Sequence, residues 1–285
     1  MANLKEIRNR IASVSSTMQI TSAMKMVSAA KLKKAQDAIT AMRPYSDSLT
    51  DLLQSLSGSI ESSDASKYAA VRPEVKILLV AITSNRGLCG AFNTNIIKRT
   101  QQLANVTYAS ASVSVMAIGK KAADILGKTL PLVANESAVY EDLNYVNVSE
   151  IAERLMLDFS DGIYDKIVLV YNKFKNAATQ EVMTEQFLPI VPVVGGPQEA
   201  DYIFEPSKEE IVSELVPKAL KTQLFKGIRD SFASEHGARM TAMHKATDNA
   251  TEMRDQLKLT YNKARQASIT NEILEIVGGA EALKE

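Results

Sequence analysis

Two glycine-containing stretches, one cysteine and two histidines are the places where the residue types of this chain could support chemistry. Gly87-Leu-Cys-Gly90 follows an apolar run, as the phosphate-cradling turn of a dinucleotide fold does. It lacks the G-x-G-x-x-G spacing that lets a backbone approach a pyrophosphate, so both glycines read as turn residues. Ala122-Ala-Asp-Ile-Leu-Gly-Lys-Thr129 is one glycine short of a P-loop, with Ala122 where the first glycine belongs. Its pattern is that of a helix end, not of a strand-to-helix loop. Cys89 as a nucleophile needs a neighbouring base and a depressed pKa, and the sequence supplies neither, so it reads as a small buried side chain. His236 and His244 lie two helical turns apart, which is not the adjacent pairing that zinc ligation favours. No carboxylate pair stands out from the helical charge pattern. We therefore expect no catalytic, cofactor-binding or metal site, and a chain that is not itself an enzyme.

The elements around these residues are of two textures. No proline falls between Pro217 and Glu285, and helix-favouring residues fill the interval. Along it Met240, Met243, Thr247, Ala250, Leu257, Tyr261 and Ala264 recur in steps of three and four, with Arg254 the one charged residue in that register. A second heptad begins at Leu4 and reads Ile7, Ile11, Val14, Met18, then Leu32, Ala35, Ile39, Met42, Leu49, Leu53, Leu56 and Ile60. Its frame places Thr21, Lys25 and Ser28 where apolar residues belong, while Ile20, Met24 and Val27 move to another face. That leaves open a register shift or a helix that meets different neighbours along its length. Asn3 with Glu6 resembles a capping box, and Pro44 predicts a kink or local break. Two seams far apart in sequence predict an antiparallel coiled coil of the termini, with a separate body between.

The body is read as a mostly parallel, Rossmann-like α/β domain. Strands are expected at Val75–Thr83, Ser112–Ile118, Lys166–Asn172 and Glu181–Ile190, and helices at Thr94–Gln102, Lys120–Leu126 and Ser149–Asp161. Ser55–Ser66 reads as an exit from the first helix and Pro189–Pro206 as a linker. Ser207 with Glu210 then caps the returning helix, which Pro217 is expected to interrupt early. The domains are accordingly residues 1–60, 73–195 and 207–285.

Charge balances overall, with 33 basic and 33 acidic residues, but not locally. Between Met1 and Arg43 eight basic residues stand against only Glu6 and Asp37. Such an arm suits an acidic protein surface, nucleic acid or anionic lipid. The single cysteine excludes an internal disulfide framework and fits a reducing compartment. The longest apolar run near Pro73, Ile77–Ile82, is far short of a membrane span. The N-terminus has no signal-peptide core and enters a helix directly.

Three stretches match one family: Ile11-Ala-Ser-Val14 through Ile20 to Gln36, the loop Ser84–Asn93, and Ala233–Ala280 with its Tyr261-Asn-Lys-Ala-Arg-Gln-Ala-Ser-Ile-Thr270. In order and over the whole length, the chain resembles the γ subunits of bacterial F-type ATP synthases. The resemblance implies a rotor shaft of two terminal helices inside a ring of three α and three β subunits, coupling proton flow to ATP synthesis. It places the body beside the ε subunit and on the membrane-embedded c-ring, at the cytoplasmic face of the inner membrane. It also implies no nucleic acid, no cofactor, and membrane attachment only through the c-ring. Met24 and Lys25 then fall where the shaft passes an acidic loop of β. Arg239, Gln266 and Thr270 match polar contacts to β loops, and Ile273, Leu274, Ile276 and Val277 match an apolar tip turning in the sleeve of the ring. Asn85, Gln19 and Ser22 depart from the usual Asp, Lys and Lys, which removes any expectation of salt bridges there. The paired-cysteine insertion of chloroplast relatives is absent, so thiol control is not expected.

Overall fold

The computed structural model describes residues 4–55, 66–190 and 207–282. Asn3 of the capping box, the heptad positions Leu56 and Ile60, and most of the Ser55–Ser66 and Pro189–Pro206 segments lie outside them. In chain order the elements are α1 (Leu4–Ser55), α2 (Ser66–Ala69), β1 (Lys76–Ile82), α3 (Phe92–Gln102), β2 (Ser112–Ile118), α4 (Lys120–Leu126), β3 (Leu132–Asn135), α5 (Tyr145–Ser160), β4 (Lys166–Phe174), β5 (Gln180–Leu188) and α6 (Lys208–Ala282). They form two compact units, one of Met1–Val27 with Met240–Glu285 and one of Ser28–Arg239.

The larger unit is built on a five-stranded sheet of order β3-β2-β1-β4-β5. β1 pairs in parallel with both β2 and β4, β2 in parallel with β3, and β5 is antiparallel to β4. The central strands are apolar on both faces because helices cover both. Leu78, Val80 and Ile82 point to one side, toward α5 and the start of α6; Ile77, Leu79 and Ala81 point to the other, toward Ile96 of α3 and Ala122 and Leu126 of α4. α5 starts earlier than expected because Asn144 caps it, its Oδ1 accepting from the Asn147 amide at 2.8 Å. β3, absent from the sequence reading, is a four-residue edge strand whose face is largely exposed, so it carries no apolar alternation to read. At the end of β2, Gly119 has φ 119°, and a Cβ there would lie 2.2 Å from the carbonyl oxygen of Thr83. Only glycine lets the two strand ends close this tightly.

The breaks expected at the two prolines do not occur. α1 runs through Pro44 and α6 through Pro217 as continuous helices. A proline removes one intrahelical hydrogen bond, at a cost of about 3 kcal/mol, and burial on either side outweighs it. On α6 that burial is a stripe spaced by four, Val212, Val216, Leu220, Leu224 and Ile228, packed into the sheet core. On α1, Ile39 and Leu49 flank Pro44 and both are buried. Ser207 begins α6 as expected, its Oγ accepting from the Glu210 amide at 3.2 Å.

The smaller unit is an antiparallel helix pair. Contacts climb one helix as they descend the other: Lys25 to His244, Thr21 to Thr247, Met18 to Thr251 and Arg8 to Tyr261. The apparent break in the first heptad is not a register shift. Thr21 is buried, as is Ser28 at the start of the larger unit; Lys25 and Met24 are half-buried, and Ile20 and Val27 are exposed. Thr21 and Thr247 satisfy one another across the seam at 2.8 Å, so small polar residues occupy it without orphaned hydroxyls. Arg254, the charge in the second seam, lays its guanidinium over the Met18 sulfur at 3.5 Å and reaches Asp255 at 2.9 Å. Its apolar stem stays in the seam while its head meets a counter-charge.

One buried group in the larger unit sets a pH dependence. His236 of α6 is 5% exposed, stands edge-on to Phe232 at 4.5 Å, and among the described residues neither ring nitrogen has a hydrogen-bond partner. Burial lowers its pKa from 6.5 to about 4, and the charges of Arg239 and Lys31 push the same way. The folded state thus resists a proton that the unfolded chain accepts, so stability present above pH 6.5 is lost as pH falls toward 4. We predict that His236→Phe abolishes about 3 kcal/mol of acid-linked destabilisation. Urea unfolding of the purified chain at several pH values checks this; parallel pH slopes for wild type and variant would contradict it.

Candidate partner-binding surfaces

In an open α/β sheet, ligands bind beyond the carboxyl ends of the strands where strand order reverses, here between β1 and β4. Side chains of the chain itself cover that edge. Ser234 of α6 donates to the Asn172 carbonyl of β4 at 3.0 Å. Arg239, one turn on, donates through Nη2 to the carbonyls of Arg86 and Gly87 at 3.2 Å each, in the loop after β1. Its Nη1 reaches Glu235 at 2.5 Å, and both residues are buried. Burial raises the Glu235 pKa, while the Arg239 guanidinium opposes the shift. An ion pair desolvated this far holds only while both members remain, because either charge alone has no water to replace its partner.

The loop Ser84–Asn93 beneath is a closed network. Asn93 Oδ1 accepts from the Ser84 amide at 2.9 Å, and its Nδ2 donates to the Cys89 sulfur at 3.2 Å. Asn85 donates to the Ser137 carbonyl and accepts from the Lys120 amide, both at 3.0 Å. An amide does both where an aspartate in its place would only accept. Cys89 is 1% exposed and burial raises its thiol pKa, which is opposite to what a nucleophile needs. Among the described residues no cluster of three metal-ligating side chains occurs. Leu88 at the loop tip is 66% exposed with φ 61°, a conformation that disfavours a branched side chain.

The nine residues read as partner contacts fall into three settings. Met24 and Lys25 are half-buried on α1, with the Lys25 ammonium 3.4 Å from His244 Nδ1. Gln266, Thr270, Ile273, Leu274, Ile276 and Val277 lie on α6, where every residue from Ile269 to Ala280 is exposed. Arg239 stands apart, since it is buried and three of its guanidinium hydrogen bonds stay inside the chain. The sequence reading missed Glu235, although its spacing of four before Arg239 on a helix is the pattern of an intrahelical pair. It also left Ser234 and Asn93 unremarked, for lone Ser and Asn carry no local signal of a tertiary hydrogen bond.

A sequence model of the family described as ATP synthase matches residues 3–283. The chain is 68% identical over 286 residues to the ATP synthase gamma chain of Flavobacterium psychrophilum, covering 100% of both. It is 68% identical to that of Flavobacterium johnsoniae and 45% identical to that of a Geobacter species, each at full or nearly full length. Among solved structures it resembles the central stalk and c-ring assembly of the Tetrahymena thermophila mitochondrial ATP synthase, with TM-score 0.59, 25% identity, and coverage of 80% of this chain and 99% of that one. The rotor of the Euglena gracilis enzyme shares the fold at TM-score 0.66 and 22% identity, over 93% and 98% of the two chains.

From the buried pair we predict that Arg239→Met destabilises the chain by about 3 to 5 kcal/mol, by stranding the Glu235 carboxylate. Adding Glu235→Leu should restore most of that loss. Unfolding midpoints of the two variants test it, and an equal deficit in single and double variant would sink the argument.

Proposed function

The chain belongs to the ATP synthase gamma-chain family, and on that premise we propose that it is the non-catalytic central shaft through which rotation links ion flow to ATP synthesis. One observation carries this reading. The helix pair closes its own seam yet leaves apolar residues outside it, with Ile20, Met26 and Val27 on α1 and Ile273, Leu274, Ile276 and Val277 on α6 all more than half exposed. Apolar surface in two places on a helix pair whose seam is already filled calls for an encircling protein partner.

The partners we propose are three α and three β subunits around the helices, and the ε subunit and c-ring at the α/β body. Met24 and Lys25 meet an acidic loop of β, and Gln266 and Thr270 make polar contacts higher on the shaft. The four apolar residues of the tip turn in a sleeve, where contacts without directional hydrogen bonds leave no preferred angle to escape from. Arg239, buried and paired, acts through its hold on the loop after β1. An asymmetric shaft presents a different face to each β subunit and so favours a different affinity state in each. No described helix is long and apolar enough to cross a membrane. Attachment through the c-ring at the cytoplasmic face of the inner membrane is accordingly part of the proposal.

Native mass spectrometry of the tagged chain drawn from its own detergent-solubilised membranes tests the reading. One copy with three each of two larger nucleotide-binding subunits, and ATPase activity in the same sample, is the expected result; recovery alone, or with nucleic acid and no ATPase, overturns it. We further predict that Ala250→Pro lowers recovery of the assembled complex severalfold. Ala250 is a buried seam residue, and a mid-helix proline there costs about 3 kcal/mol and pushes its ring into the seam. Normal recovery would refute a continuous C-terminal shaft.

A further inference from the structure

Four residues of α6, Gln223, Gly227, Ser234 and Gly237, follow one another in steps of four, seven and three, which keeps them on one face of the helix. All four meet the β4–β5 hairpin. Gln223 Nε2 donates to Glu185 Oε1 at 2.8 Å and to the Gln186 carbonyl at 3.2 Å, and the Tyr171 hydroxyl holds the same carboxylate through Oε2 at 2.7 Å. Ser234, fully buried, donates to the Asn172 carbonyl at 3.0 Å. A Cβ at Gly227 would touch the Tyr171 ring at 3.7 Å, and one at Gly237 would press on the backbone of Ala177, in the hairpin turn, at 3.2 Å. Glycine weakens a helix interior, so two on one face mark places where the hairpin comes in close.

The aliphatic stripe from Val212 to Ile228 holds α6 onto the sheet, but it ends about three turns before Arg239, the last residue of the larger unit. Burial of aliphatic surface is non-directional, whereas a hydrogen bond weakens steeply as it bends away from linear. A small turn of α6 about its own axis therefore costs little in burial and misaligns Gln223 and Ser234 together. We propose that the β4–β5 hairpin is a key that stops α6 turning within the body, with Gln223 and Ser234 as the positioning residues through which torque passes between helix and sheet. The inference rests on the rotor reading. It adds to that reading the place where the body grips the shaft.

The test measures torsional stiffness in the whole ATPase complex, tethered by its nucleotide-binding subunits, with a bead on a cysteine introduced on the body as Lys98→Cys. Lys98 is exposed, and buried Cys89 does not compete for the label. In a complex stalled by bound nucleotide, the angular variance of the bead is inversely proportional to stiffness. Gln223→Leu with Ser234→Ala should widen that variance roughly 1.5- to 2-fold, because two of the four contacts on the face are then lost. Should the double variant not assemble, Ser234→Ala alone, which removes a single oxygen, decides by a smaller widening. Leu220→Val, which trims the aliphatic stripe and leaves the key intact, should keep the wild-type variance. An unchanged variance in the key variant, or an equal widening in Leu220→Val, overturns the key and leaves the rotor reading standing. A wild-type bead that ATP does not turn overturns the rotor reading, and the inference with it.

Discussion

Covering one face of the parallel sheet is the constraint on which the α/β body depends. That face is made by Leu78, Val80, Ile82, Met116, Ile118, Ile167 and Leu169, and α5 alone does not close it; the stripe from Val212 to Ile228 on α6 does. Five buried aliphatic side chains contribute about 7 to 15 kcal/mol in all, as large as the net stability of an ordinary domain. The body therefore cannot form until the chain has returned through α6, and residues more than a hundred positions apart become one cooperative unit. The same burial explains why Pro217 fails to end the helix.

Much of this was legible in the sequence, and the exceptions have physical causes. Strands β1, β2 and β4 announced themselves as apolar runs because both of their faces are buried. β3 did not, because its face is largely in water and four residues show no period. Thr21 and Ser28 looked like a fault in the first heptad. Both are buried, and Thr21 packs in the seam where its cross-helix partner, Thr247, supplies a hydrogen bond. A pattern that counts only apolar residues cannot see this. Among the contact residues, the apolar tip came only through the family resemblance, and the exposure of Ile273, Leu274, Ile276 and Val277 is consistent with it. The buried setting of Arg239 was not legible, because it depends on carbonyls of Arg86 and Gly87, more than 150 positions away.

The fold is that of a nucleotide-binding sheet, and the reversal of strand order lies where such sheets bind phosphates. Here the strand ends meet Ser234, Glu235 and Arg239 instead. The loop after β1 presents carbonyls to a guanidinium, where a phosphate site would present amides to an anion. The local polarity is thus the reverse of what a nucleotide requires. A cation belonging to the chain has become the permanent ligand of its own sheet, which accounts for a Rossmann-like architecture in a family whose gamma chain carries no catalytic site.

The two helices of the smaller unit are of unequal reach. α1 begins at Leu4 and its Arg8 meets Tyr261, while α6 continues to Ala282. About 20 residues, or roughly 30 Å, thus extend beyond the paired region as a single helix. Where two helices interlock, a twist must shear side chains past one another; in the single helix it only has to stretch hydrogen bonds of one ladder. The unit is therefore a stiff rod ending in a softer spring, and for the same twist the single helix yields before the pair does.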